Sequence, residues 1–72
     1  MSYIIVMFAK MLRELRTEHN YSQSDLARLL NVTKQNISDW ENGKSETNFE
    51  NAIKIAKLFN VTVGQLLGAE EY

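Results

Sequence analysis

The stretch Gln23–Asn42, QSDLARLLNVTKQNISDWEN, decides how this chain folds. Counted from Gln23, apolar residues fall at the fourth (Leu26), eighth (Leu30), tenth (Val32), fifteenth (Ile37) and eighteenth (Trp40) positions, with the small Ala27 at the fifth. The ninth position is Asn31, one of the few residue types that tolerates the left-handed backbone of a sharp turn. This spacing predicts two short helices that cross steeply and share one apolar seam. The outer face of the second helix then carries Lys34, Gln35, Ser38 and Asp39, side chains that can reach the edges of DNA bases.

Capping residues set the boundaries. Ser22 is an N-cap for the first of the two helices, with Asp25 in its first turn against the positive end of the dipole. Thr33 caps the second by the same logic, and Gly43 ends it. Upstream, Phe8, Leu12 and Leu15 form an i, i+4, i+7 stripe with Met11 beside it, so a helix is expected from about Met7 or Phe8 to Glu18. Lys10, Arg13, Glu14 and Glu18 fall on its other faces, and Asn20 is a candidate left-handed terminator. Tyr21 is expected over the corner that follows.

Downstream, Asn48 caps a fourth helix that is apolar around most of its circumference through Ala52, Ile53, Ile55, Ala56, Leu58 and Phe59. Such a helix is central to a small bundle or supplies a second interface. Asn60 ends it. Thr62 caps a short fifth helix to about Leu67, Gly68 stops it, and Ala69–Tyr72 is expected to fray. The expected core is Phe8, Leu12, Leu15, Leu26, Ala27, Leu30, Val32, Ile37, Trp40, Ile53, Ala56, Phe59, Val61 and Leu66.

The apolar start, MSYIIVMF, lacks the basic n-region and cleavage site of a signal peptide and is too short to span a membrane. Ser2–Val6 favours β structure by composition. Its readings are a short strand or first helical turn packed on the domain, a dimer contact, or a disordered extension. The organisation is thus an apolar extension (1–7), a helical domain (8–67) and a short acidic tail (68–72).

Seventy-two residues form one domain, which buries only about 60% of its unfolded surface and depends on efficient packing or a partner. The chain has no cysteine, no proline and three glycines. Disulfides and thiolate metal sites are excluded, a reducing cytoplasm is compatible, and helices are favoured over turn-rich β architecture. The formal charge of −1 becomes +1 without Glu70 and Glu71. With no polybasic arm, modest phosphate affinity per monomer is expected. A single histidine, His19, forms neither a metal site nor a triad, and no phosphate loop is present, so no enzyme, metal or cofactor is expected.

Four strings in order carry a resemblance: LRELR (Leu12–Arg16), SQSDLARLLNVT (Ser22–Thr33), ISDWENGK (Ile37–Lys44) and AIKIAKLFNVTVGQLL (Ala52–Leu67). Together they resemble the xenobiotic-response-element family of helix-turn-helix proteins, the phage-repressor and Cro type, over about residues 8 to 67. The resemblance implies an all-α, five-helix lambda-repressor-like domain whose second and third helices read DNA, in a homodimeric transcriptional regulator, read as a repressor, on a pseudo-palindromic operator. The chain departs from the family at Asn31, where Gly is usual in the turn, and at Thr47, where Pro is common.

By the resemblance, Lys34 and Gln35 hold the main base-reading positions. Gln can pair bidentately with adenine, Lys can donate to guanine, and Asp39 can accept from cytosine while repelling phosphate. Ser38 and Asn36 flank this face. Thr33, Asn42 and Lys44 match backbone-contact positions, the start of the second helix at Ser22 and Gln23 offers free amides to an anion, and Arg28 is an additional cation. Arg16 and Glu41 match a structural ion pair. Trp40, three residues from Ile37, is expected in the core. Dimer candidates are Ile55, Leu58 and Leu67, with the N-terminal Tyr3–Val6, including Ile5, as a second surface. The competing reading is an antitoxin or a protein-interaction module on the same fold, with a toxin or effector as its partner.

Overall fold

The computed structural model describes residues 2–70. Met1, Glu71 and Tyr72, the ends of the expected extension and tail, lie outside the described residues. Five helices follow in order: α1 (Tyr3–Glu18), α2 (Gln23–Leu30), α3 (Lys34–Glu41), α4 (Phe49–Phe59) and α5 (Val63–Leu66). No strand occurs among the described residues. The fold is all-α and lambda-repressor-like, with the helix-turn-helix at α2 and α3.

Each helix starts on a polar cap. Oxygens of Ser2, Ser22, Thr33, Asn48 and Thr62 accept from backbone N–H groups three residues on. At α2, α3 and α5 the bond is reciprocated from Asp25, Asn36 and Gln65, which satisfies two otherwise orphaned donors per helix. Three asparagines, Asn20, Asn31 and Asn60, take left-handed φ values of 57–59° after α1, α2 and α4. The α2–α3 connection is only Asn31, Val32 and Thr33, closed by Val32 N–H on Ala27 O at 2.9 Å. Such a turn needs a left-handed residue, and Asn supplies it where Gly is usual.

The strand propensity at Tyr3–Val6 is overridden. Ser2 caps α1, its oxygen accepting from Ile5 N–H at 3.1 Å, and the helix starts at Tyr3 rather than near Phe8. Packing explains the difference: Ile5 and Phe8 line a groove with Phe49, Ala52, Val63 and Leu67. A strand would alternate its side chains and lose that one-sided contact. The tail is also ordered as far as Glu70. Ala69 and Glu70 N–H both donate to Gly64 O, and Thr62 Oγ1 donates to Glu70 Oε2 at 3.2 Å. Gly68 sits at φ 77°, where a Cβ would meet Met7 Cβ at 2.9 Å. Its missing side chain lets the end of α5 close onto α1.

The core takes one fully buried residue from every helix: Leu12, Leu26, Ile37, Ile55 and Leu66 are each 0% exposed. Each such burial is worth roughly 1.5–3 kcal/mol. Phe8 and Trp40 close one end edge to face, with centroids 6.1 Å apart. Trp40 is therefore a core residue. Three expected core residues, Val32, Ile53 and Val61, are only half-buried, while Ala9, Ala52 and Ile55 are buried. The exchange of Ile53 for Ile55 reflects α4, whose apolar circumference leaves its inward face undecided by periodicity. Ile55 is consequently not available as a dimer contact. Tyr21 covers the α1–α2 corner, its ring stacked on His19 and tilted against Phe59. The His19 and Phe59 ring centroids lie 4.8 Å apart in a T-shaped contact, and His19 Nδ1 is 2.8 Å from Leu15 O, so this exposed C-cap residue of α1 also covers an edge of the core.

Candidate nucleic-acid interface

Helix α3 has two sharply different faces. Ile37, Trp40 and Glu41 are buried, while Lys34, Gln35 and Asn36 are exposed and Ser38 and Asp39 half-buried; Asn42, the C-cap, is exposed beyond the helix. The exposed residues cluster at the N-terminal end, which a short helix can push into a groove. The Lys34 ammonium makes no ion pair or hydrogen bond with the described residues. Gln35 Nε2 donates to Asp39 Oδ1 at 2.9 Å. The two flanking candidates are partly committed elsewhere: Asn36 Oδ1 accepts from Thr33 N–H, and Ser38 Oγ accepts from Asn42 Nδ2 at 3.3 Å.

A second set surrounds this face. The start of α2 is a closed capping box: Ser22 N–H donates to Asp25 Oδ2, and Ser22 Oγ accepts from Asp25 N–H. Ser22 therefore has no spare backbone donor, and the amides open to an anion are those of Gln23 and Ser24. These bonds, above all the one from the Ser22 backbone, hold the Asp25 pKa below its ordinary value, with further help from Arg28. Arg28 is no free cation, since its Nη2 lies 2.9 Å from Asp25 Oδ1 on the surface. Thr33 Oγ1 accepts from Asn36 N–H, which leaves its hydroxyl hydrogen free to donate outward. Lys44 is exposed, its backbone fixed by N–H to Asp39 O at 2.8 Å.

Beneath both helices lies one buried carboxylate. Glu41, with a 0% exposed side chain, accepts from Arg16 Nε at 2.6 Å and Nη2 at 3.0 Å. Gln23 Nε2 adds a third bond at 3.2 Å. Arg16 Nη1 also donates to Tyr21 O at 2.9 Å. The hydrogen bond to Glu41 raises the Arg16 pKa further above its ordinary range, outweighing desolvation. Gln23 is thus turned inward, with its side chain engaged and its backbone amide the group left for an anion. Arg13, which spacing alone puts on an outer face of α1, joins this cluster. Its Nε is 3.6 Å from Glu41 and its Nη2 3.4 Å from Asn42 Oδ1, while its side chain stays 55% exposed. The available signal is its i, i+3 relation to Arg16.

The sequence-derived dimer candidates divide. Leu58 and Leu67 are half-buried against the core, Ile5 lines the groove, and Tyr3 is exposed. That groove, about 430 Å³, is rimmed by the exposed Ile4 and by Phe49, which is 75% exposed.

A family model described as helix-turn-helix matches residues 12–66. The chain is 44% identical over 64 residues to the HTH-type transcriptional activator BcrR of Enterococcus faecalis, covering 89% of this chain and 31% of that protein. It thus spans under a third of BcrR. It is 38% identical over 60 residues to the uncharacterized HTH-type transcriptional regulator MJ0272 of Methanocaldococcus jannaschii, covering 83% of this chain and 91% of that one. In three dimensions it is similar to the restriction-modification controller protein C.AhdI from Aeromonas hydrophila. The TM-score is 0.78 at 31% identity, over 86% of this chain and 94% of that one.

Proposed function

The chain belongs to the helix-turn-helix family, and from that premise we propose that it is a sequence-specific DNA-binding transcriptional regulator acting as a homodimer on a pseudo-palindromic operator. One observation carries the reading: α3 buries Ile37 and Trp40 completely enough to be rigid while presenting Lys34 and Gln35 outward from its first turn. A helix so placed enters the major groove by its N-terminus, with α2 crossing the backbone. Lys34, Gln35 and Asp39 then read base edges, and Asn36 and Ser38 support them. The Gln23 and Ser24 amides, the Thr33 hydroxyl, Asn42, Lys44 and Arg13 meet phosphates.

The formal charge of −1 makes one copy a weak ligand for DNA. Two linked copies multiply their affinities through effective concentration. The face around Ile4, Ile5, Phe49 and Leu67 supplies the self-contact, and two-fold symmetry would set the recognition helices about 34 Å apart. A dimer seated on promoter DNA represses by exclusion, and the protein works in the cytoplasm, where prokaryotic DNA lies.

Selection from a random duplex library at stated salt tests this reading. The expected result is an enriched half-site repeated as an inverted pair one helical turn apart. Failure to retain any duplex at low salt would discard it in favour of the protein-interaction module.

A further inference from the structure

Gln35 and Asp39 stand one helical turn apart on the outer face of α3, and Gln35 Nε2 donates to Asp39 Oδ1 at 2.9 Å. A surface glutamine is normally ambiguous: turning its terminal amide by half a revolution exchanges a donor for an acceptor. Next to an ionised carboxylate the two orientations are no longer equivalent. Asp39 offers acceptors only, so it holds the NH₂ group with a charge-assisted bond and repels the amide oxygen.

We propose that Asp39 is a positioning residue that fixes which way the Gln35 amide faces, and so makes Gln35 select adenine over guanine. With Nε2 held toward Asp39, Oε1 and the second N–H remain for the base pair. In the major groove adenine presents a donor, N6–H₂, beside the N7 acceptor, whereas guanine presents two acceptors, N7 and O6. An amide free to turn can offer its NH₂ to guanine. An amide with its oxygen held outward meets O6 with like charge and N6–H₂ with a hydrogen bond. The inference rests on the proposal that α3 reads DNA. It changes the role of Asp39 from reading a base to orienting the residue that does.

Library selection on wild type, Asp39→Asn, Asp39→Glu and Gln35→Ala tests it. Asn keeps the size of Asp39 but both donates and accepts, so it can hold the Gln35 amide in either orientation. Asp39→Asn should lower the preference for adenine over guanine at one half-site position by about tenfold, and Asp39→Glu should restore it. In a Gln35→Ala background, Asp39→Asn should change nothing at that position. An equal change there would show that Asp39 reads the base itself and would overturn the proposal. An adenine preference unaltered in Asp39→Asn would do the same, although the DNA-binding reading would survive. No enriched sequence from wild type would defeat both. A DNA-free readout is the side-chain amide NMR signal of Gln35, which should shift in Asp39→Asn with an unchanged melting curve. An unmoved signal would show that the hydrogen bond does not form in solution and would end the argument.

Discussion

Gln23 and Glu41, the first residue of α2 and the last of α3, are joined by a 3.2 Å hydrogen bond inside the domain. The same carboxylate takes two bonds from Arg16 of α1. One buried charge thereby fixes the mutual angle of three helices, including the two that form the helix-turn-helix. A buried pair adds little net stability, but removing one partner strands the other. Glu41→Ala should therefore cost about 3–5 kcal/mol, enough to unfold a small domain. Gln23→Ala, which removes one neutral donor, should cost about 1 kcal/mol. Urea titration followed by circular dichroism separates them, and equal small losses would show that the cluster does not organise the fold.

Local chemistry made the element boundaries legible. Ser22, Thr33, Asn48 and Thr62 each fill their cap, and Asn20, Asn31 and Asn60 are left-handed. What could not be read depended on tertiary context. The β-branched and aromatic run at Tyr3–Val6 is helical because Ser2 caps it and α4–α5 offer it an apolar wall. Ile55 rather than Ile53 faces inward because α4 is apolar on both sides. Of the candidate interface, the face of α3 follows from periodicity alone. The convergence of Arg13 and Gln23 on Glu41 does not, since 28 and 18 residues of chain separate those partners.

The two apolar surfaces of α4 should respond oppositely to charge. Ile55 is fully buried, so Ile55→Asp places a lone carboxylate in the core and should abolish the folded state. Phe49 is 75% exposed on the rim of the groove, so Phe49→Glu should fold normally. If the groove face is the dimer surface, sedimentation of Phe49→Glu should give the monomer mass, where wild type gives a dimer. A Phe49→Glu protein that stays dimeric would move the contact to another surface.

Asp25 gives stability a defined pH dependence. Its pKa is depressed in the folded protein from an ordinary value of 3.8. A depressed carboxylate contributes stability that is fully present above the unfolded value and is lost as pH falls through the folded value. The melting temperature of wild type should thus drop as pH falls below about 3.8, in part because the α2 capping box and the Arg28 contact are lost. Asp25→Asn should start less stable at neutral pH and show a shallower drop. Parallel slopes for the two proteins would mean that Asp25 does not contribute to the acid transition.

Lys44 and Gln35 should fail in different ways on DNA, because phosphate contacts position a domain while base contacts specify its site. Lys44 is exposed just beyond α3, on backbone anchored to Asp39 O, a place suited to meeting a phosphate. Neutralising a phosphate releases counterions, so each such contact steepens the fall of affinity with salt by about 0.9 in the log–log slope. Lys44→Ala should weaken cognate and random duplexes alike and flatten that slope by about one per bound copy. Gln35→Ala should leave the slope intact and cost about 1–3 kcal/mol on the cognate duplex only. Salt titrations of both variants on both duplexes decide the assignment. An unchanged slope for Lys44→Ala would remove Lys44 from the phosphate contacts, and an equal loss on random DNA for Gln35→Ala would remove Gln35 from sequence reading.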